Sequence, residues 1–285
     1  MNDNIERIQR IEHMIGSSWW DVIQMIYLMG KFQNSCVFLP ITIEPINEQT
    51  YERFSNRPFG NFVSLSWECS EKGCRFSSPK IFPDDKDFAQ YASFLQNCVD
   101  GSERFSVIPL ELFYKDGSGH FSGHSNVLIY DKILHSLERF DSHGGESDEM
   151  FVPTLLDKSI QKFFPAFLND NFEYFPPQAF CPKNGPQVFE QISRETLGVP
   201  IKTGFCSVWS FIYANYRLQF PDKSREDVNV FLIERLTEEH GNLWEFLLKV
   251  VIMLSNLSEK IRTAQSVAEI EEAIMESTKE LGQEF

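Results

Sequence analysis

The sequence predicts an α+β fold with a central mixed or antiparallel sheet and flanking helices. Residues 36–82 and 104–141 contain short stretches rich in Phe, Val and Ile, separated by Pro, Gly and Ser, which is typical of strands and turns. Residues before 30 and after 227 instead carry apolar residues at helical spacing. Strands and helices therefore occupy separate parts of the chain, as expected for the α+β class.

The amino-terminal region predicts two helices followed by short strands. The first helix is predicted by isoleucines at near-helical spacing: Ile5, Ile8, Ile11 and Ile15. Ser18-Trp19-Trp20-Asp21 resembles a capping box and predicts a second helix that ends near Met29. Strands are expected within residues 36–82 and a third helix over 84–99.

The middle of the chain predicts three consecutive strands. Alternation indicates strands at residues 104–114, 121–131 and 137–141, with a turn over 117–119. An apolar stripe predicts a helix over 150–168, and a short aromatic strand follows at 172–180, broken by Pro176-Pro177.

The remaining chain is predicted to be helical. An apolar helix begins at Cys206 and runs to Leu218, and helices with breaks near Gly241 and Ser255 follow to the end. We expect an accessory region over residues 1–100, a catalytic core over 101–222 and a helical region packed on that core over 223–285.

Composition limits the classes of partner. The chain has 285 residues, is 42% hydrophobic and 24% charged, and is therefore globular with enough length for a large core. Its formal net charge of −15 argues against a nucleic-acid or anionic-membrane surface, which needs a basic footprint. An acidic face that recruits a basic partner stays open.

The cysteine pattern predicts neither a disulfide framework nor a zinc site. Six cysteines are too few and too scattered for a framework, and Cys69 and Cys74 flank a hairpin-like turn without a second Cys/His pair. We expect no metal and no cofactor. The amino terminus lacks a signal-peptide core, and the apolar run over 243–257 is shorter than the ~20 residues of a membrane span. A soluble protein in a reducing compartment is expected.

His124 and Asp141 are the first candidate catalytic pair. If the chain reverses at Lys132-Ile133, these two residues face each other on neighbouring strands. A carboxylate beside an imidazole fixes the tautomer of the imidazole and stabilises the imidazolium. Each residue alone is also compatible with an ordinary hydrogen-bonded histidine or an aspartate in a turn.

Cys206 is the candidate nucleophile. The amino terminus of a helix lowers the pKa of a thiol and offers N–H groups to an oxyanion, and a nearby imidazolium lowers that pKa further. Gln187 is the candidate second donor to the oxyanion. Ser125, Phe205 and Trp209 are the candidate residues of a substrate channel, and Trp209 is expected either in the core or in the wall of the pocket. A lone cysteine on an apolar helix is otherwise most often a small buried hydrophobe.

The ordered set resembles the clan CE cysteine proteases. His124 is followed by Asp141, then a glutamine, then Gly204-Phe205-Cys206-Ser207-Val208-Trp209 at a helix start, and the resemblance covers residues 105–218. This clan contains the SUMO proteases, the adenovirus-type proteases and related bacterial effector and large-DNA-virus enzymes. The resemblance implies a permuted papain-like core. In papain itself the cysteine comes first.

The resemblance also implies roles: His124 as base, Asp141 as its orienting acid, Cys206 as nucleophile and Gln187 as oxyanion donor. Two positions depart from the family. SUMO-type members carry a Trp where this chain has Ser125, and their glutamine lies closer to the cysteine than the nineteen residues found here. Gln191 is therefore a competing oxyanion donor. His120 and His143 are expected at the surface or on the substrate side.

The resemblance implies a thiol isopeptidase that removes ubiquitin or a ubiquitin-like modifier from conjugates. Alternatives are a viral-type polyprotein protease, an effector acetyltransferase of the same clan, and a binding protein that has lost activity. The acetyltransferases need a basic pocket, and the chain has 26 Lys and Arg against 41 Asp and Glu. The acidic stretch at 269–276 resembles the tails of translocated effectors, which implies a host-cell cytosol, or equally an ordinary acidic helix.

Overall fold

The structure is a computed structural model. It describes residues 18–32, 34–38, 65–70, 73–77, 96–115, 121–145, 153–166, 171–196, 204–235, 238 and 243–282. The helix predicted from Ile5 to Ile15 and the turn at 117–119 lie outside these residues. Of the helix predicted over 84–99, the described part, residues 96–100, is helical.

Seven strands form one mixed sheet in the described part of the chain. They are β1 (Ser35–Val37), β2 (Leu65–Ser70), β3 (Gly73–Ser77), β4 (Phe105–Lys115), β5 (Phe121–Asp131), β6 (Ser136–Phe140) and β7 (Glu173–Phe175). Their order is β3-β2-β4-β5-β6-β7, with β1 paired to β4. The β4–β5 and β5–β6 pairs are antiparallel, and β6–β7 and β2–β4 are parallel. The predicted α+β class is confirmed.

Besides the helical residues 96–100, eight α-helices have both ends among the described residues and flank the sheet. They are α1 (Ser18–Lys31), α2 (Pro153–Phe163), α3 (Pro177–Phe180), α4 (Pro186–Thr196), α5 (Cys206–Gln219), α6 (Arg225–Val230), α7 (Leu243–Thr263) and α8 (Val267–Gly282). A short 3₁₀ turn, Phe164–Ala166, extends α2, and a π-helical turn, Phe231–Arg235, follows α6. Helix α7 continues through Ser255, so the break predicted there is wrong, because the apolar stripe runs on to Ile261.

Helix α5 is the centre of the main hydrophobic core. Every residue from Ser207 to Leu218 is buried. Its apolar residues share one cluster with residues of α1, α7 and α8 and with one face of the sheet, including Val127, Ile129 and Phe140. Burial of this size holds the start of α5 rigidly against the sheet.

The β5–β6 hairpin has a different register from the one expected. Val127 pairs with Phe140 and Asp131 with Ser136, so the chain turns over Lys132–His135 rather than at Lys132-Ile133. The carboxylate of Asp131 accepts hydrogen bonds from the N–H groups of Ile133 and Leu134, and His135 adopts a positive φ of 48°. For any residue of β5, the observed partner on β6 lies two positions beyond the expected one. Because this shift is an even number of residues, every side chain stays on its expected face.

The two faces of β6 carry different polar clusters. Glu138 points to the α5 side, where its carboxylate binds Tyr213, Arg217 and Arg225. Arg139 points to the α2 side and binds Asp157. Successive residues of a strand point to opposite faces, so two buried ionic clusters lie back to back on one strand.

Cys36 and Cys98 form a disulfide with Cα atoms 5.7 Å apart, a pairing that the scattered spacing did not predict. Cys69 and Cys74 are direct cross-strand partners in the β2–β3 hairpin, as the turn between them predicts. Cys181 and Cys206 are free thiols. In the part of the chain that the structure describes, no helix is long and apolar enough to cross a membrane.

Candidate functional site

His124 and Asp141 meet at the edge of the β5–β6 hairpin. Nε2 of His124 lies 2.8 Å from Oδ1 of Asp141, and both residues are buried. Asp141 follows the last residue of β6 and reaches His124 diagonally, because the register places Val127 opposite Phe140. The same carboxylate oxygen accepts the backbone N–H of His143 at 3.0 Å.

Cys206 is the first residue of α5 and lies against the start of β5. The backbone N–H of Ser125 donates to Sγ of Cys206 at 3.3 Å, and Oγ of Ser210 binds the carbonyl oxygen of Ser125. The imidazole of His124 also hydrogen-bonds the Cys206 thiol. Nε2 of His124 is engaged by Asp141, so the contact to sulfur falls to the other ring nitrogen.

The electrostatics of the site favour a thiolate–imidazolium pair. Burial lowers the pKa of His124, but Asp141 and the thiolate of Cys206 raise it to about 10. Burial raises the pKa of Cys206, but the hydrogen bond and charge of His124 and the N–H of Ser125 bring it below the ordinary value of a thiol. Burial also raises the pKa of Asp141, while the charges of His124 and Arg139 hold it below its usual range.

Gln187 lies beside Gly204, close to the start of α5, despite its distance along the chain. It is buried at the start of α4, and its Oε1 accepts a 2.6 Å hydrogen bond from Oγ of Ser142, the residue after Asp141. A Cβ at residue 204 would lie 2.7 Å from Nε2 of Gln187, so the amide is directed at Gly204, two residues before the nucleophile. The backbone N–H of Gln187 also binds the carbonyl of Ser142.

Gln191, the competing donor, lies elsewhere. Its Nε2 binds Oε1 of Glu195 on the exposed side of α4. Gln187 and Cys206 are nineteen positions apart in the sequence, yet the amide of Gln187 lies against Gly204, just before α5. The long interval therefore does not keep Gln187 away from the start of α5.

The start of α5 has no side-chain cap. Its N-cap residue is Phe205, which makes no side-chain cap hydrogen bond. A cap side chain normally accepts a hydrogen bond from the first N–H groups of a helix. Here no acceptor on the cap residue competes with a substrate oxygen for those groups.

Phe205 and Trp209 do not line a channel. Both are fully buried, Phe205 against Trp244 at a centroid distance of 5.5 Å and Trp209 near Phe246 at 6.4 Å. Both rings lie in the helical core, so Trp209 has the core environment, one of the two predicted for it, and Phe205 is not exposed to a channel. Ser125, the third channel candidate, is half-buried beside the thiol.

A small acidic recess adjoins the thiol on the α1 side. It has a volume of about 20 Å³, and its lining includes Asp21, Glu111, Ser125 and Ser207. Burial raises the pKa of Asp21 well above its usual range, as do the neighbouring charges of Glu111 and Cys206, while the Ser207 hydroxyl opposes the rise. Asp21 therefore keeps its proton more readily than a surface carboxyl and adds less negative charge beside the thiolate.

His143 belongs to the site although its position in the sequence gave no such signal. Its imidazole stacks on that of His124 at 4.6 Å and lies 3.8 Å from Oδ1 of Asp141. His120 lies outside the described residues.

No protein-family model matches the chain. A putative ankyrin repeat protein of Acanthamoeba polyphaga mimivirus, L371, is 31% identical over 138 residues, which are 45% of this chain and 17% of that protein. The matched region therefore spans less than a fifth of the viral protein's length.

Solved structures that match most of the length of the chain do so at TM-scores below 0.5. The Chlamydia trachomatis effector ChlaDUB1 has a TM-score of 0.44 at 12% identity, covering 93% of this chain and 92% of that one. The C. trachomatis effector Cdu1 bound to ubiquitin has a TM-score of 0.40 at 14% identity, over 84% and 93% of the two chains. The SUMO protease Ulp1 has a TM-score of 0.28 at 10% identity, over 87% and 97%.

Proposed function

We propose that the protein is a cysteine isopeptidase that removes ubiquitin or a ubiquitin-like modifier from conjugates. The observation that carries the proposal is the convergence of Cys206, His124 and Asp141, from three separate elements, into one hydrogen-bonded chain. A thiol with a lowered pKa, paired to an imidazole that a buried carboxylate orients, is the arrangement required for nucleophilic acyl transfer.

Acylation begins from the thiolate of Cys206. The thiolate attacks the carbonyl carbon of the modifier's C-terminal residue, and the carbonyl oxygen becomes an oxyanion. The backbone N–H at the start of α5 and Nε2 of Gln187 would donate to that oxygen. Collapse of the intermediate breaks the C–N bond, the imidazolium of His124 gives its proton to the departing amine, and a thioester stays on Cys206.

Deacylation returns the enzyme to its starting state. Neutral His124 takes a proton from a water molecule, and the resulting hydroxide attacks the thioester carbonyl. The C–S bond breaks, the modifier leaves with a free carboxylate, and Cys206 regains its thiolate beside the protonated His124. Asp141 stabilises each imidazolium that forms and fixes the ring orientation between the two steps.

The substrate class follows from the sequence resemblance and is compatible with the surface around the site. Helix α4 carries Gln187 on its buried side and Phe189 and Ile192 on its outer side, where they are 38% and 55% exposed. Phe189 and Ile192 follow Gln187 by two and five residues, and this exposed apolar pair offers a contact for the body of a folded modifier.

The decisive experiment is reaction with ubiquitin, SUMO and related modifiers that carry a C-terminal electrophile. We expect a covalent adduct with at least one modifier in the wild-type protein and none in Cys206→Ala. Intact mass spectrometry measures the adduct directly.

Two outcomes would redirect the proposal. Absence of any adduct, in a protein whose Cys206 still reacts with a small alkylating agent, would mean that the nucleophile serves another substrate. Acetylation of Cys206 by acetyl-coenzyme A would instead favour the acetyltransferase alternative.

A further inference from the structure

Arg139 is buried directly behind the candidate site. It lies on β6 two residues before Asp141, and its side chain is 1% exposed. Nη1 of Arg139 donates to Oδ2 of Asp141 at 3.4 Å and to Oδ1 of Asn126 at 2.7 Å. The two oxygens of Asp141 therefore have different partners, His124 on Oδ1 and Arg139 on Oδ2.

A second carboxylate balances the charge of Arg139 on its far side. Nε and Nη2 of Arg139 lie 3.0 and 2.9 Å from Oδ1 of Asp157, on α2. The hydroxyl of Tyr174, on β7, donates to the same Asp157 oxygen at 2.6 Å. The guanidinium is thus clamped between Asp157 and Asp141, and the position of α2 is coupled to the catalytic acid.

The charge of Arg139 matters most when His124 is neutral. Burial alone raises the pKa of Asp141, and the imidazolium of His124 is the largest opposing influence. In the thioester stage of the proposed reaction His124 has given up its proton, so this influence disappears. Arg139 is then the cation that remains hydrogen-bonded to the buried carboxylate.

We propose that Arg139 is a positioning residue that holds Asp141 ionised and oriented through the stage in which His124 is neutral. The proposal rests on the proposed function. Without Arg139, the His124–Asp141 pair would retain its proton to higher pH, and the base needed for deacylation would be less available. The carboxylate of Asp157 partly neutralises the guanidinium of Arg139 and so limits its electrostatic effect on Asp141.

The direct test is an NMR titration of the His124 imidazole in a Cys206→Ala background. This background lacks the thiolate, as the thioester stage does, and it needs no substrate. Arg139→Gln should raise the pKa of His124 by on the order of one unit, because a nearby positive charge is lost. Arg139→Lys keeps that charge and should reverse most of the rise.

Asp157→Asn provides a test of opposite sign. It removes the carboxylate that balances Arg139, so the pKa of His124 should fall. A merely structural role for Arg139 would move both variants in the same direction or in neither. Asp157 is more distant from the triad, so this variant also keeps the proposal testable if Arg139→Gln does not fold.

The matched control is Arg217→Gln. Arg217 is equally buried and pairs with Glu138, the neighbour of Arg139 on β6, but on the opposite face. The Arg217→Gln variant should be less stable than the wild type, but the pKa of His124 should be unchanged. The charged and titratable groups around His124 in the wild type are Asp141, His143 and Arg139, with Asp21 and Glu111 beyond position 206. His143→Gln is needed to assign the two imidazole signals.

Kinetics give the second readout. With a cleavable modifier, Arg139→Gln should move the acid limb of the kcat profile to higher pH and slow thioester hydrolysis more than thioester formation. An unchanged His124 titration would overturn the role of Arg139 whatever the substrate. A shifted titration in a protein that cleaves no modifier would overturn the proposed function alone.

Discussion

At the scale of single residues, the site depends on the protonation states of three neighbouring groups: the thiol of Cys206, the imidazole of His124 and the carboxyl of Asp141. The thiol of Cys206 gains acidity only from its contacts to His124 and to the N–H of Ser125, because burial acts against it. Removing the imidazole would leave a buried thiol at a helix start. The pH dependence of thiol reactivity is therefore the most direct measure of the pair.

We expect iodoacetamide to alkylate Cys206 rapidly at pH values below the ordinary thiol pKa of about 8.5. His124→Ala should shift the pH dependence of Cys206 alkylation to higher pH, since the lowered pKa of the thiol depends first on the imidazole. Peptide mass spectrometry over a pH series measures the rate at each cysteine. Cys181 is the internal reference, because burial raises the pKa of its thiol. An identical pH dependence of alkylation in wild type and His124→Ala would show that the Cys206 thiol and the His124 imidazole are not coupled.

Gln187 and Gln191 provide a matched pair one helical turn apart. Gln187→Ala should lower kcat by about 10²–10³-fold, the usual cost of losing one oxyanion donor, and leave alkylation of Cys206 unchanged. Gln191→Ala should leave both unchanged, because Gln191 binds only Glu195 on the outer side of α4. Steady-state kinetics with a fluorogenic modifier decide the assignment. Equal decreases of kcat in Gln187→Ala and Gln191→Ala would contradict the assignment of Gln187 as the oxyanion donor.

At the scale of elements, strand β6 connects the site to the core. All five of its residues are buried, with Glu138 directed to α5 and Arg139 to α2. Glu138 receives two guanidiniums and the Tyr213 hydroxyl, and Phe140 stacks on Tyr213 at 4.2 Å. The polar network thus fixes the angle at which α5 crosses the sheet.

Glu138→Gln should destabilise the protein by about 3–5 kcal/mol, the cost of removing one partner from a buried ion pair. The buried guanidinium of Arg217 would lose its carboxylate, although the shape of the side chain is retained. Urea unfolding followed by circular dichroism measures the change. Lys260→Gln removes an exposed pair with Glu276 and should cost less than about 1 kcal/mol. Similar losses in the two variants would mean that the Glu138 network contributes little.

At the scale of the whole molecule, the carboxy-terminal helices pack against the region that supports the site. Ile274 of α8 is buried, and a Cβ at Gly30 of α1 would lie 2.7 Å from its Cδ1. Helix α1 in turn carries Asp21 and Gln24 to the recess beside Ser207. Packing of α8 on α1 therefore supports one wall of the recess beside Ser207.

Ile274→Ala should lower the free energy of unfolding by about 2–5 kcal/mol, because a buried aliphatic side chain is lost against a closely packed glycine. The neighbouring Met275 is 59% exposed, so Met275→Ala should cost less than about 0.5 kcal/mol. Thermal and urea unfolding of the two variants give the comparison. A separate, earlier transition of α8 in the wild type would contradict its packing as part of a single core.

Local patterns predicted most elements of the middle and the end of the chain. The strand at Phe121–Asp131 and the helix that begins at Cys206 have their predicted starts, because periodicity and flanking turns are local signals. The hairpin register could not be read locally, since the Asp131-capped turn over Lys132–His135 decides it. The contact of Gln187 with Gly204 and the role of Arg139 depend on how α4 and α2 fold back, which no spacing encodes.

Strand β6 also limits how this sequence can change. All five of its residues are buried and paired with β5, the first three are also paired with β7, and two of the five are charged. A saturation library should therefore find almost no tolerated substitution from Ser136 to Phe140, whereas the exposed Ile133 and Leu134 in the preceding turn should accept many. Distant homologues are then best sought with a profile that weights Glu138, Arg139 and Asp141 jointly, since a change at one requires compensation at its partners.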